Sequence, residues 1–205
     1  MSDDGEWLVP PDREPLNGFD TFVGFDATVA DFWQFALGDL RMNNARGYLA
    51  EFVVAKALGL QKVRRMEWDA YDLLWEGVTI EVKSSGYLQL WDQRRPSKIV
   101  FTGLTGTRWH PRHDLDPSGK RYNAMVYVFC VQTATEHKRY EPLRLDQWTF
   151  YVVARSKLVA LAQKSVGLAR VRVLSGGQVA WPELGAAVKQ AAIEEARDDD
   201  GDCWE

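Results

Sequence analysis

The stretch that most constrains the fold is residues 71–83, YDLLWEGVTIEVK. Glu76-Gly77 separates two runs rich in apolar and β-branched residues, and glycine tolerates the positive φ that a tight hairpin turn requires. A two-residue loop at this point sets Asp72 directly opposite Glu81 on the neighbouring strand. The sequence therefore predicts a β-hairpin whose register is fixed by its turn.

One face of this predicted hairpin is polar and charged. Asp72 and Glu81 share that face, and the side-chain period of two adds Lys83 to it. Two adjacent carboxylates raise each other's pKa unless a cation lies between them. Mg²⁺ favours sites with few carboxylates, and a neighbouring lysine can orient a metal-bound water or stabilise charge on phosphate. The alternative is a polar sheet face on which Lys83 only neutralises the two acids.

A helix upstream of the hairpin supplies a third carboxylate. The apolar spacing predicts a helix over residues 43–58, capped by Asn43 or Asn44 and ended by Gly59. Its predicted buried side consists of Tyr48, Leu49, Phe52, Val53 and Ala55. Glu51 stands among these apolar residues, so its carboxylate should be paired, protonated or metal-bound unless it is exposed to solvent.

Asp72, followed on the next strand by Glu81-Val82-Lys83, resembles the PD-(D/E)xK signature of the restriction-endonuclease-like nuclease superfamily. Many members of that superfamily also place a glutamate on a helix before the hairpin, which is where Glu51 stands. The similarity covers roughly residues 43–89. The sequence departs from the motif's name in one respect, because Tyr71 stands where the proline would be.

The resemblance implies an α/β fold with a restriction-endonuclease-like central mixed β-sheet flanked by helices. It also implies a phosphodiesterase that cleaves DNA, in restriction or another defence against foreign DNA, with Mg²⁺ as cofactor and Mn²⁺ able to substitute. The implied metal ligands are Glu51, Asp72, Glu81 and the backbone carbonyl of Val82. Lys83 would position or activate the attacking water. Gln89 resembles a catalytic glutamine that some branches place shortly after the lysine, and a surface hydrogen-bonding role is its alternative.

The residues leave a second function class open. A nucleic-acid-binding or assembly module could retain this fold without turnover. RNA is not excluded as the substrate, and a homodimer is compatible with the sequence. A second (D/E)xK triplet, Glu136-His137-Lys138, lies in a polar, turn-like run without apolar alternation and provides an internal control.

Charge is distributed unevenly along the chain. Residues 1–30 carry seven acidic side chains and one arginine, residues 194–205 carry the same numbers, and residues 31–193 hold 23 basic and 15 acidic side chains, a balance of +8. A basic body suits a polyanionic ligand, although an ordinary solvated surface can carry the same charge.

A long segment, residues 103–123, concentrates basic residues and suits phosphate contact with base stacking; a flexible solvated loop is its alternative. Ser84 and Ser85 could donate to a phosphate or cap a turn. The candidate nucleic-acid contacts are Ser84, Ser85, Arg94, Arg95, Lys98, Arg108, Trp109, Arg112, Lys120 and Arg121.

The chain is expected to form one domain with two appendages. We predict an extended acidic arm over residues 1–25, the nuclease-like domain over 26–196 and a disordered acidic tail over 197–205. No apolar stretch approaches the length of a membrane span, no leader pattern is present, and two cysteines make no disulfide framework. A cytoplasmic setting is expected.

The remaining predicted elements follow from apolar periodicity. Helices are predicted over 27–40, over 156–164 with Ser156 as the cap, and over 181–196. Strands are predicted over 61–68, 98–102, 125–131, 149–154 and 169–174.

Overall fold

The computed structural model describes residues 11, 13–61, 70–107, 109–110, 114–115 and 119–201. The chain divides into two compact units, residues 1–39 and residues 40–205. The strand predicted over 61–68 lies almost entirely outside the described residues. Within the described ranges, no helix is long and apolar enough to cross a membrane.

The first unit contains helix α1, Val29–Leu37, within the range predicted as a helix. Thr28 caps it: the Asp31 N–H donates to the Thr28 hydroxyl at 3.3 Å, and the Thr28 N–H donates to the Asp31 carboxylate at 2.7 Å. This reciprocal capping box satisfies two of the amides that the first turn of a helix leaves without partners. The start of α1 is therefore fixed by two local residues.

The second unit is built on a mixed sheet with helices on it. Its helices are α2 (Asn43–Ala57), α3 (Arg155–Val159), α4 (Leu168–Ser175) and α5 (Leu184–Gly201). The strands are β1 (Leu73–Trp75), β2 (Val78–Gly86), β3 (Val100–Thr102), β4 (Trp109–His110), β5 (Asp114–Leu115), β6 (Val126–Gln132), β7 (Trp148–Ala154) and β8 (Ser165–Gly167). The central sheet has the order β1-β2-β6-β7, while β3 pairs with β8 and β4 pairs with β5. Strands β2 and β6 run parallel, and the other two pairs in the central sheet are antiparallel. The predicted α/β class and mixed central sheet are confirmed.

The hairpin of β1 and β2 has the predicted register. Leu73 lies opposite Ile80 and Trp75 lies opposite Val78. The turn residues Glu76 and Gly77 have φ values of 49° and 84°, the positive values of a type I′ turn. The turn chemistry therefore fixes which residues of β2 face which side of the sheet.

Both faces of the central sheet are buried, and strand β6 shows this most clearly because all seven of its residues are buried. Val128 and Cys130 pack with α2 and α5, while Tyr127 and Phe129 pack against β3, β8 and α4. A strand covered on both sides reads as a continuous apolar run, as VYVFCVQ does. The second of these faces is the one to which Glu81 and Lys83 belong.

Helix α2 has nearly the predicted bounds, and part of its predicted buried side is confirmed, because Val53 and Ala55 are buried. Met42 is its N-cap without a side-chain bond, whereas Asn43 lies inside the helix and accepts from Arg46 at 2.6 Å. Tyr48 and Phe52 were predicted to be buried, which is wrong: they are 39% and 57% exposed. The buried side includes, besides Val53 and Ala55, the small residues Ala45 and Ala50 in place of the two rings. Small side chains let a helix lie close to a sheet, and this outweighed the preference to bury the larger rings.

The prediction of a strand over 169–174 is also wrong, because these residues belong to helix α4. The alternation Val171-Arg172-Val173 imitates a strand, yet only Val171 is buried and Val173 is 72% exposed. Gly176 ends the helix with a φ of 74°, a left-handed conformation that glycine adopts without strain.

Two helices in the last part of the chain differ from prediction. Helix α3 begins after Ala154 and ends at Val159, so it is shorter than the predicted range 156–164 and Ser156 is not its cap. The Ser156 N–H instead donates to the buried carboxylate of Glu195 at 2.7 Å, and Arg155 Nε donates to the same carboxylate at 2.6 Å. Helix α5, which carries Glu195, continues to Gly201 and so extends into the range predicted as a tail.

Glu195 should be a major stabilising residue because its carboxylate, in a side chain only 1% exposed, holds α3 against α5. Glu195→Ala should lower the free energy of unfolding by about 1.5–3 kcal/mol, the contribution of hydrogen bonds to a charged group. The matched control is Glu194→Ala, which removes a surface pair with Lys157 at 2.7 Å and should cost less than about 1 kcal/mol. Urea denaturation measures both, and equal losses would contradict the assignment.

Candidate active site

The Asp72 carboxylate is fixed against strand β2. Asp72 N–H donates to the Ile80 carbonyl at 3.0 Å, which continues the hairpin pairing beyond Leu73. One carboxylate oxygen of Asp72 accepts from the Val82 N–H at 2.7 Å. The hairpin therefore delivers Asp72 to the part of β2 that carries Glu81.

Glu81 and Lys83 form a close ion pair on β2. Lys83 Nζ lies 2.5 Å from Glu81 Oε1, and the two side chains are only 23% and 17% exposed. Burial raises the pKa of the Glu81 carboxyl, and the negative charge of Asp72 raises it further, whereas Lys83 acts in the opposite direction. Lys83 therefore offsets only part of the cost of ionising Glu81 beside Asp72, and an additional cation would stabilise the ionised form.

Glu81 borders a pocket of about 120 Å³ formed by both ends of the 103–123 segment. The lining residues are Ala70, Glu81, Gly103, Leu104, Gly106, Thr107, Asn123 and Tyr127. Gly103 lies against the lysine of the pair, since a Cβ at this position would be 3.9 Å from Lys83 Nζ. The segment that was predicted to contact nucleic acid thus begins and ends at the predicted acidic site.

Two residues that the sequence did not single out shape this pocket. The Tyr127 hydroxyl donates to the Leu104 carbonyl at 3.1 Å, and the Asn123 side-chain amide donates to the Gly106 carbonyl at 3.0 Å. Burial, and then the charge of Glu81, raise the pKa of Tyr127, so its hydroxyl remains a donor. Tyr127 lies beside Glu81 because β2 and β6 are parallel in this register, and only the strand order reveals that pairing.

Glu51 lies in a neighbouring pocket. It is half-buried on α2 and lines, together with Asp72, a pocket of about 180 Å³. In the described part of the chain, no three His, Cys, Asp or Glu side chains are grouped closely enough to hold a metal ion. The structure therefore brings Asp72 to Glu81, and Glu51 to Asp72, without gathering the three predicted ligands around one point.

Gln89 is buried, with 9% exposure, so the alternative of a surface hydrogen-bonder is wrong. Its side-chain amide donates to the Gly86 carbonyl at 3.2 Å and to the Ser97 hydroxyl at 3.4 Å. Its Oε1 is buried and has no hydrogen-bond partner within the described ranges. These bonds close the loop that follows β2, and a catalytic role for Gln89 stays a prediction.

The residues predicted to contact nucleic acid differ in how exposed their side chains are. Ser84 and Ser85 are half-buried on β2, whereas the described basic side chains are exposed, namely Arg94, Arg95, Lys98, Lys120 and Arg121. The Arg121 backbone pairs with Gly106 in both directions, at 3.0 and 3.1 Å. Arg108, Arg112 and the side chain of Trp109 lie outside the described residues. Part of the segment is itself a small β-hairpin, formed by β4 and β5.

The raised pKa of Glu81 predicts that its charge destabilises the metal-free fold. The folded protein retains the Glu81 proton more readily than the unfolded chain, so the protonated carboxyl favours the folded state. This contribution is complete below the ordinary pKa of 4.5 and is lost as the pH rises through the raised pKa of the folded state. In the absence of divalent metal, Glu81→Gln should raise the melting temperature at pH 7. We expect about 2–4 °C, the equivalent of about 1 kcal/mol for a chain of this size.

The gain should vanish near pH 4, where the wild-type carboxyl is already neutral. The control is Glu136→Gln in the second (D/E)xK triplet, whose side chain is exposed and pairs with Arg139 at 3.4 Å; it should change the melting temperature little at either pH. Scanning calorimetry at both pH values measures the effect, and a wild type more stable than Glu81→Gln at pH 7 would contradict it.

Comparison of the chain with protein-family models, with curated proteins and with solved structures finds no match.

Proposed function

We propose that the protein is a Mg²⁺-dependent phosphodiesterase that cleaves DNA, with a restriction-endonuclease-like fold. The observation that carries the proposal is the charge arrangement on the hairpin: Asp72 lies against β2, Glu81 has a raised pKa, and Lys83 is bonded to Glu81. The order of these three groups also resembles the PD-(D/E)xK signature. A role in restriction or another defence against foreign DNA is part of the proposal and rests on the resemblance alone.

The donor chemistry of the site fits Mg²⁺. Asp72 and Glu81 offer hard carboxylate oxygens. Burial raises the pKa of Glu81, the charge of Asp72 raises it further, and a divalent cation would oppose the contribution of Asp72. Mg²⁺ is commonly held by one or two carboxylates, with waters and substrate phosphate completing its coordination. Asp72 and Glu81 would therefore hold the ion with the Val82 carbonyl, and Mn²⁺ would substitute. When bound, the ion would lower the pKa of a water and polarise the phosphate.

The chain's own residues have separable roles in this mechanism. Lys83 would leave its pairing with Glu81 when the cation binds, and its Nζ would then stabilise negative charge on the phosphate or orient the attacking water. The pocket beside Gly103 and Asn123 would receive the phosphate, because it borders the proposed metal ligand Glu81 and is lined by both ends of the 103–123 segment. Tyr127 would act as a positioning residue through its bond to Leu104.

The same ion pair favours one alternative. Because Lys83 already bonds to Glu81 without a metal, the cluster could be a static part of a nucleic-acid-binding or assembly module. The two functions differ in turnover and in metal dependence, and the following experiment separates them.

Asp72→Ala and Glu81→Ala should each abolish Mg²⁺-dependent cleavage of plasmid or linear DNA, and the double variant should be no worse than either, as expected for groups that act as a unit. Lys83→Ala should lower the cleavage rate by on the order of a hundredfold or more while metal binding persists. Gel assays of cleavage and calorimetric titration with Mg²⁺ or Mn²⁺ measure these outcomes on variants shown to be folded.

The matched controls are Glu136→Ala and Lys138→Ala in the second (D/E)xK triplet, which should cleave like the wild type. A wild type that binds metal yet cleaves neither DNA nor RNA would favour the binding module. A wild type that binds no divalent metal would overturn the proposal.

The 103–123 segment should contribute phosphate contacts. Lys120→Ala combined with Arg121→Ala should reduce the slope of log affinity against log salt by about two units, since each lost phosphate contact removes about one. Lys138→Ala combined with Arg139→Ala removes the same charge from another exposed segment and should leave the slope unchanged. Fluorescence anisotropy with labelled DNA in the absence of divalent metal measures both, and equal slopes for the two double variants would reject a specific role for the segment.

A further inference from the structure

The pocket on the α2 side of Asp72 combines aromatic surface with charge. It is lined by Tyr48, Glu51, Phe52, Lys56 and Asp72, together with small and aliphatic residues of α2 and its flanking segments. Asp72 belongs at the same time to the proposed cleavage site. A group bound in this pocket would therefore lie next to a phosphate bound at Glu81.

The aromatic rings at this pocket are exposed despite their size. Phe52 is 57% exposed and Tyr48 is 39% exposed, although other residues of the same helix are completely buried. Lys56 Nζ lies over the Phe52 ring at 5.4 Å from its centroid. Exposed rings accompanied by a lysine match the requirements of a nucleotide, because bases stack on aromatic side chains and phosphates are attracted to cations.

The size of the pocket limits what it can accept. Pockets for drug-sized molecules measure about 300–1,000 Å³, whereas this one measures about 180 Å³. One planar heterocycle is a suitable occupant, and a longer stretch of nucleotides is not. A base reaches such a pocket only if it is outside a duplex stack, as in a single strand or a flipped nucleotide.

We propose that this pocket binds one unstacked nucleobase of the nucleic-acid strand that is cleaved at Asp72 and Glu81. The base stacks on the ring of Phe52, the more exposed of the two rings, and Lys56 contacts the adjoining phosphate. This inference rests on the proposed function for the position of the strand. It adds the substrate class, which is single-stranded or locally unpaired nucleic acid.

Glu51 supplies a basis for choosing among bases. Glu51 lines the pocket but is not gathered with both Asp72 and Glu81 into a three-acid group within the described residues. A carboxylate accepts hydrogen bonds and therefore selects a base edge that donates them, such as the exocyclic amino group of cytosine. Thymine has no exocyclic amino group. Glu51 accordingly reads the base, and the metal is held by Asp72 and Glu81.

The test uses short single-stranded oligonucleotides that carry one 2-aminopurine, mixed with the full-length protein in the absence of divalent metal. Stacking in the pocket should change the fluorescence of the reporter base, and Phe52→Ala should remove that change and weaken binding by about tenfold. The matched control is Phe35→Ala on α1, which removes a phenylalanine that is 88% exposed and should have no effect. Competition with cytosine-containing and thymine-containing strands should favour cytosine, and Glu51→Gln should reduce that preference.

Several outcomes would overturn the inference. Equal affinity for a blunt duplex and a single strand, or an unchanged reporter signal on binding, would exclude a base pocket. A loss of Mg²⁺ affinity in Glu51→Gln would assign Glu51 to the metal instead. If Phe52→Ala disturbed the fold, Phe52→Leu, which keeps an apolar side chain but removes the ring, should still lose the signal.

The two proposals can fail separately. Reporter stacking without any cleavage would leave the base pocket standing and remove the proposed nuclease function. Metal-dependent cleavage without stacking would leave the proposed nuclease function standing and remove the base pocket.

Discussion

The structure depends on how strand β2 accommodates charge in a central sheet that is otherwise uncharged. Ile80 and Val82 face the core shared with α2 and α5, while Glu81 and Lys83 point to the opposite side, where they are largely covered. A buried carboxylate is costly unless it is paired, and Lys83 offsets that cost only in part because Asp72 adds a second negative charge. The hairpin thus holds Asp72, Glu81 and Lys83 close together on one side of the sheet, where the pKa of Glu81 is raised.

Two parts of the fold border this group of charges, one on the β6 side and one on the α2 side. On the β6 side, the parallel pairing sets Tyr127 beside Glu81, and Tyr127 and Asn123 tie both ends of the 103–123 segment to the pocket. On the α2 side, Glu51 and two exposed rings line one pocket together with Asp72. The acidic hairpin therefore separates a polar pocket from an aromatic one. This is the arrangement that a strand of nucleic acid would require if its phosphate and one base were held at adjacent positions.

The sequence predicted the local features well because they depend on neighbouring residues. The Glu76-Gly77 turn sets the register, and the register alone brings Asp72 to Glu81, so this part of the site could be inferred without the fold. The buried side of α2 could be inferred only in part: Val53 and Ala55 are buried as predicted, but Tyr48 and Phe52 are not. The helix carries apolar residues on most of its circumference, and its orientation was decided by close packing of small residues on the sheet. Arg170 to Val173 alternate between charged and apolar residues, as a strand would. The structure instead places them in helix α4, where only Val171 is buried. Tyr127 and Asn123 were missed for a third reason, since their roles follow from strand order.

A comparison of two acids in the second unit shows why Glu81, and not Glu195, is the candidate for ligand binding. Glu195 is more deeply buried, but it accepts from both Arg155 and the Ser156 N–H, so its charge is satisfied by the fold and a ligand would have little to add. Glu81 has Lys83 on one side and a like charge on the other, and its pKa is raised. Any cation bound beside it would recover the ionisation free energy that folding does not supply, and by linkage that binding would stabilise the native state. Burial by itself therefore does not identify a functional carboxylate. The balance between a charge and its partners does, and at Glu81 that balance leaves the pKa raised.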